Sequence, residues 1–156
     1  NDGTGKTARE TRAIAGWFES DRDTDTRLNK WGREIYPKCA YNTLMLRKER
    51  YGNIPIYVTE NGHGCYDVPD ENGYVEDDDR IAFLNDYIGW ILKAKEDGVN
   101  VKGYYCWSTM DLYSWINGYK KRYGLVRVDY EDGLLRRIPK KSYYWYRDFI
   151  TEHKDV

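Results

Sequence analysis

The sequence contains few cysteines, and their positions form no recognisable site. Cys39, Cys65 and Cys106 are odd in number and widely spaced. Disulfide frameworks of small secreted domains use even numbers of cysteines, and zinc sites use closely spaced pairs. We therefore expect reduced thiols, a cytoplasmic protein and no metal site.

Long apolar runs and a dominant charge are also absent. No stretch of 18 apolar residues occurs, so the sequence predicts no transmembrane helix. The 25 basic residues nearly balance the 26 acidic ones, and the net charge is −1. Such a balance gives no bulk attraction to polyanions or to anionic lipid, so we expect neither nucleic acid nor membrane as a partner.

Aromatic residues, in contrast, are abundant. They make up 16% of the chain, with 16 Tyr and 6 Trp. Tyr and Trp combine an apolar face with a polar tip, which suits a sugar-binding cleft. An aromatic core would need the same residues, so composition leaves both interpretations open.

The stretch from Pro55 to Gly62 places a carboxylate at a strand end. Residues 55–59 predict a strand, Glu60 follows it, and Asn61-Gly62 is a turn signal. In a parallel sheet the carboxyl end of a strand is where functional side chains lie. An Asn-Gly turn is also the commonest hairpin signal, in which Glu60 would be merely solvated.

A second predicted strand follows at residues 101–108, after a helix over 80–96. The helix has apolar residues at spacings of three and four, and the strand carries few charges, which favours burial on both faces. A strand, a helix and a strand form a βαβ unit with parallel strands. Glu60 and Trp107 are then expected side by side at one rim.

The remaining elements are shorter. A helix is expected over 38–51, a strand over 125–130, and a last helix over 143–153 with Ser142 as its N-cap. The acidic loop 62–79 fails as a calcium site, because an EF-hand register with Gly73 at the sixth position puts Val68 first. We expect its end, residues 77–79, to cap the helix that follows.

Three motifs, in order and spacing, resemble the C-terminal part of the family 1 glycoside hydrolases. They are Thr59-Glu60-Asn61-Gly62, Gly103-Tyr104-Tyr105-Cys106-Trp107-Ser108 and Lys121-Arg122-Tyr123-Gly124-Leu125. Within that family the chain is most similar to the branch that acts on 6-phospho-β-glycosides, the galactosidases more than the glucosidases.

The resemblance implies an α/β fold, the (β/α)8 TIM barrel, of which this chain holds the last two to three βα units. A complete barrel takes roughly 250 residues, whereas the chain has 156. We therefore expect a C-terminal fragment, with the rest of the barrel in the full-length chain. Residues 1–156 would form a single incomplete barrel domain, in which 1–34 is an active-site loop region and 35–156 holds the last βα units and the C-terminal helix.

The resemblance also assigns chemical roles. Retaining glycosidases use two carboxylates about 5–5.5 Å apart, a nucleophile and an acid/base, and Glu60 matches the nucleophile. The acid/base of the family lies in a Thr-x-Asn-Glu segment that this sequence lacks, so the chain alone is expected to be inactive. Trp107 matches a platform beneath the sugar ring, with an ordinary core Trp as the alternative. No cofactor is implied.

Substrate choice is expected to depend on the loop 111–123. By resemblance, Ser114 replaces a Glu of the β-glucosidases, and together with Lys121 and Tyr123 it would bind a phosphate of about −1.5 to −2 charges. The alternative is that Lys121-Arg122 is a solvated basic pair. Trp115 after Ser114 resembles the enzymes for 6-phospho-β-galactosides rather than those for 6-phospho-β-glucosides.

Two other functions remain open. The chain could belong to a β-glucosidase or β-galactosidase for unphosphorylated sugars, in which Ser114 has merely lost a contact. It could instead be a non-catalytic carbohydrate-binding fragment, which the missing acid would favour.

Overall fold

A computed structural model describes residues 27–131 and 133–153. The described part holds three helices and four strands, in the chain order α1 Lys38–Tyr51, β1 Ile56–Asn61, α2 Asp78–Glu96, β2 Val101–Cys106, β3 Val126–Val128, β4 Arg137–Pro139 and α3 Lys141–Glu152. The predicted helix over 38–51 has the bounds of α1, and Gly52 with φ of 76° follows it.

The central unit is β1-α2-β2, and its strands pair in parallel. Ile56 lies opposite Val101, Val58 opposite Tyr104, and Asn61 opposite Cys106. The predicted βαβ unit is therefore confirmed. Because the strands are parallel, their carboxyl ends lie at the same edge of the sheet.

The second strand is shorter and less buried than expected. It ends at Cys106, so Trp107 and Ser108 lie beyond it. Val101 is buried, but Lys102 and Tyr105 are exposed. The expectation of burial on both faces is wrong for this chain. Among the described residues β2 pairs only with β1, so its other edge has no neighbouring strand.

The core forms where α2 packs on the sheet and on the other helices. The predicted apolar face of α2 is confirmed, since Leu84, Ile88 and Ile91 are buried. One cluster joins this face to Ile35 and Leu125 and is covered by side chains of α3, while a second joins α1 to β2. The buried members are Ile35, Phe83, Leu84, Tyr87, Ile88 and Leu125 in the first, and Leu44, Ile91, Ala94, Val99 and Val101 in the second.

The predicted helix caps are confirmed only in position for α2, where Asp77 stands at the N-cap and Asp78 and Asp79 lie in the first turn. Asp77 precedes α2 but makes no side-chain capping bond, and Ser142 lies inside α3 rather than before it. The two residues bind each other instead: Ser142 Oγ donates to Asp77 at 2.6 Å and the Ser142 backbone N–H donates at 2.8 Å. A long-range polar contact between helix starts has replaced the local caps.

The strand predicted over 125–130 is confirmed as the shorter β3. It pairs antiparallel with β4, with Arg127 opposite Ile138. The sequence did not predict β4, because residues 136–141 are mostly basic and show no apolar alternation.

Candidate active site

Glu60 and Trp107 lie at adjacent strand ends. Glu60 is the last residue but one of β1 and is exposed, and Trp107 follows β2 directly with 41% of its surface exposed. The Trp107 backbone N–H donates to the Asn61 carbonyl at 2.8 Å. The bond joins the two strand ends, so a carboxylate and an indole stand at one accessible rim.

The surroundings of Gly62 explain why the first motif has a glycine at this position. A Cβ at this position would lie 1.6 Å from the Trp107 carbonyl oxygen. No side chain can occupy that space, so the close approach of the two strand ends requires glycine.

Ser114, Lys121 and Tyr123 come together in the loop that follows β2. Ser114 and Gly118 exchange two backbone hydrogen bonds of 2.9 and 2.7 Å, which fold the loop back on itself. The Ser114 side chain lies near Tyr123 and lowers the pKa of its phenol, and Ser114 Oγ accepts hydrogen bonds from Asn117 at 3.3 Å. The Lys121 Nζ lies 5.3 Å from the centre of the Tyr123 ring. We call these three residues the donor cluster.

Lys121 is buried, so the solvated basic pair is wrong. Only 7% of its surface is exposed, and its Nζ lies 5.1 Å from the centre of the Trp31 ring. Burial lowers the pKa of Lys121, and the nearby positive charge of Arg33 lowers this pKa further. Burial raises the pKa of Tyr123, which Ser114 and Arg33 partly oppose. Among the described residues, Lys121 and Arg33 therefore bring two positive charges close together.

Arg33 and Trp31 belong to the predicted active-site loop region. Trp31 is buried and stacks on Tyr66 at 4.3 Å between ring centres, which holds this segment against the loop after β1. The part of this region that contains Trp17 and Phe18 lies outside the described residues. The sequence pattern did not single out Arg33, since an arginine in a polar segment carries no periodic signal.

The donor cluster is attached to the segment that carries Glu60. Cys65 and Arg122 exchange backbone hydrogen bonds of 2.8 and 3.0 Å. The Lys121 side chain crosses Gly64 so closely that a Cβ there would meet its Cε at 2.4 Å. Ser108, directly after Trp107, donates its N–H to the Tyr123 carbonyl at 3.3 Å. Both strand ends are thus tied to the cluster.

Trp115 is not brought into the cluster. It follows Ser114 directly, but 95% of its surface is exposed. A contribution to sugar recognition would therefore need a substrate that reaches the outer side of the loop.

A buried network of charges supports the loop from behind. Asp111 accepts hydrogen bonds from the Gly124 backbone N–H at 2.9 Å and from Lys140 Nζ at 2.8 Å. Lys140 also pairs with Asp67, and it is fully buried. The Arg122 guanidinium lies 3.5 Å from Asp111. This network links the loop after β1, the loop after β2 and the start of α3.

Replacing Lys140 by Met is expected to destabilise the protein by about 3–5 kcal/mol, because Asp67 and Asp111 would keep buried negative charges without their shared partner. The midpoint of urea unfolding measures this. Lys141→Met is the control, since Lys141 is 40% exposed and pairs with the exposed Asp78 at 2.9 Å. That pair should contribute below about 1 kcal/mol. Equal losses in the two variants would contradict the network.

The sequence did hold one signal for the buried charges. Arg80 precedes Leu84 by four positions and Tyr87 by seven, so it shares the apolar face of α2. A charged residue in that register predicts a buried ion pair. Lys140 carried no such signal, because it stands in a basic run.

Among residues 27–131 and 133–153, no group of three His, Cys, Asp or Glu side chains is placed to hold a metal ion. None of the helices in these residues is long and apolar enough to cross a bilayer.

Comparisons with known proteins agree with the motifs. A model of glycosyl hydrolase family 1 matches residues 2–155. A 6-phospho-β-galactosidase of Staphylococcus epidermidis is 41% identical over 100% of the chain and 33% of the relative, and one of Clostridium acetobutylicum is 41% identical over 99% and 32%. The chain spans about a third of the length of these relatives.

A solved structure shows the same fold. The family 1 β-glucosidase from Thermotoga maritima, in complex with isofagomine lactam, superposes with a TM-score of 0.78 and 40% identity, covering 86% of this chain and 30% of that one. The motifs, the βαβ unit and these matches agree. The chain belongs to glycosyl hydrolase family 1 and corresponds to the C-terminal part of its (β/α)8 barrel.

Proposed function

We propose that this chain supplies the nucleophile and the phosphate-binding end of a retaining glycosidase for 6-phospho-β-glycosides, with 6-phospho-β-galactosides preferred. Glu60 is the nucleophile in this proposal, and Trp107 is the platform beneath the sugar ring. The relatives at 41% identity carry the name 6-phospho-β-galactosidase, which supports the choice of substrate.

The observation that carries the proposal is the donor cluster. Ser114 and Tyr123 carry hydroxyl donors, and Lys121 adds a buried positive charge beside the Tyr123 ring. A hydrogen bond to a charged group is worth roughly 1.5–3 kcal/mol. Ser114 brings no negative charge to this cluster, so a phosphate dianion bound there meets donors.

The chain alone is proposed to be inactive. A retaining mechanism requires a second carboxylate to protonate the leaving oxygen, and the family's Thr-x-Asn-Glu segment does not occur in this sequence. The rest of the barrel, in a full-length enzyme, would provide this acid. The cytoplasm, predicted from the scattered cysteines, stays a prediction.

A hydrolase for unphosphorylated β-glucosides is the second candidate. The solved relative from Thermotoga maritima, at 40% identity, carries the name β-glucosidase. In that case Lys121 and Arg33 would have no anion to bind, and their mutual repulsion would remain in the substrate complex.

Steady-state kinetics with matched nitrophenyl glycosides separates the candidates. The full-length enzyme is expected to show a kcat/KM about 100-fold or more higher for the 6-phospho-β-galactoside than for the free β-galactoside, since two charge-assisted hydrogen bonds exceed about 2.8 kcal/mol. The 6-phospho-β-glucoside measures the galacto preference. Faster cleavage of the free sugar would overturn the phosphate proposal.

A further inference from the structure

Arg80 joins the two segments that carry the proposed chemistry. It is fully buried at the start of α2. Its Nε donates to the His63 carbonyl at 3.3 Å, and its Nη2 donates to the Arg122 carbonyl at 2.9 Å. One planar guanidinium therefore fixes two backbone oxygens relative to each other.

The two carbonyls that accept from Arg80 belong to the two segments that carry Glu60 and the donor cluster. His63 lies three residues after Glu60, and Arg122 stands between Lys121 and Tyr123. The Cys65 backbone N–H donates to the same Arg122 carbonyl at 2.8 Å. Arg80 thus acts on the junction between the nucleophile's segment and the donor cluster, without belonging to either.

Two carboxylates hold the guanidinium of Arg80 in place. It pairs with Asp77, and it lies 3.4 Å from Asp67. Asp77 is fixed in turn by the two hydrogen bonds from Ser142 at the start of α3. Burial lowers the pKa of Arg80, but Cys65, Asp67 and Asp77 together outweigh it, so the pKa is raised. Arg80 therefore stays charged, and its geometry is set by two helices.

We propose that Arg80 is a positioning residue that sets the distance between Glu60 and the donor cluster. The proposal rests on the phosphate-binding function above. A phosphorylated substrate would be held at both ends, so a change in this distance would move the anomeric carbon away from Glu60 while the phosphate stayed bound. A misplacement of about 1 Å can cost 100-fold in rate. A free glycoside, held at one end, can adjust.

Arg80→Lys tests this in the full-length enzyme. Lysine keeps the positive charge for Asp77 but lacks the planar set of donors that reaches two carbonyls. We expect kcat for the nitrophenyl 6-phospho-β-galactoside to fall about 10- to 100-fold with KM changed less than about threefold. For the free β-galactoside, kcat should change less than about threefold.

Arg127→Lys is the matched control. Arg127 is also buried, and it pairs with Asp129 at 3.0 Å instead of bonding the two loop carbonyls. This variant should lower the melting temperature to a similar extent and leave the ratio of the two kcat values unchanged. If Arg80→Lys does not fold, Asp67→Asn should give a smaller loss of the same selectivity.

The outcomes for this inference and for the proposed function differ. Equal losses of kcat for both substrates in the Arg80 variant, or a loss seen in KM alone, would overturn the positioning role while the wild-type preference stood. A wild-type enzyme that prefers the free galactoside would overturn the proposed function, and the inference with it.

Discussion

Glu60→Gln is expected to lower kcat of the full-length enzyme by about four orders of magnitude. Glutamine keeps the shape of the side chain but cannot attack the anomeric carbon to form the glycosyl-enzyme intermediate. Hydrolysis of the nitrophenyl 6-phospho-β-galactoside measures the loss. Glu71→Gln is the control, since Glu71 is an exposed acid in the loop between β1 and α2.

Rescue of a Glu60 variant by azide tests whether Glu60 itself is the nucleophile, because the product's configuration shows which face of the sugar was attacked. In Glu60→Ala, azide should enter the space left by the carboxylate and attack the same face of the sugar. The product is then the α-glycosyl azide, and the rate rises with azide concentration. A β-glycosyl azide, or an unimpaired Glu60→Gln enzyme, would rule out Glu60 as the nucleophile.

Lys121→Ala should have the second largest effect. We expect kcat/KM for the 6-phospho-β-galactoside to fall about 100- to 1,000-fold, mainly through KM, because a partly desolvated ion pair with the phosphate is lost. The free β-galactoside should lose less than about threefold. Both values come from the same steady-state assay.

The neighbouring lysine offers a close control. Lys120 is exposed, whereas only 7% of the Lys121 surface is exposed. Lys120→Ala removes the same charge from the same loop and should change either kcat/KM less than about threefold. If Lys121→Ala impaired both substrates to the same degree, the lysine would support the loop and the phosphate assignment would fail.

The sequence was sufficient for the part of the fold that local patterns encode. Apolar spacing predicted α2, and the strand-helix-strand order predicted the parallel pairing of β1 and β2. From that pairing the neighbourhood of Glu60 and Trp107 followed, because parallel strands end at the same edge. Motif resemblance was needed for the donor cluster, since no periodicity relates Ser114 to Lys121.

The sequence was insufficient where charges pair over long distances. Asp77 looks like a helix cap and Lys140 looks like a solvated lysine, yet their partners lie 65 and 29 positions away along the chain, at Ser142 and Asp111. A carboxylate near a helix start has the same local pattern whether it caps that helix or binds another. Only the tertiary contacts determine which of these two roles the carboxylate has. Contacts of the same kind also hold Arg80 against two loops.

The contact between Gly62 and the Trp107 carbonyl also bears on how the first motif is used to recognise relatives. The close approach of two main-chain segments requires glycine at this position. A related protein without the nucleophile would still need this glycine, because the two strand ends could not otherwise pack together. A search that rewards the Asn-Gly pair therefore detects a shared fold, and the proposed nucleophile Glu60 before this pair is the residue that would indicate activity.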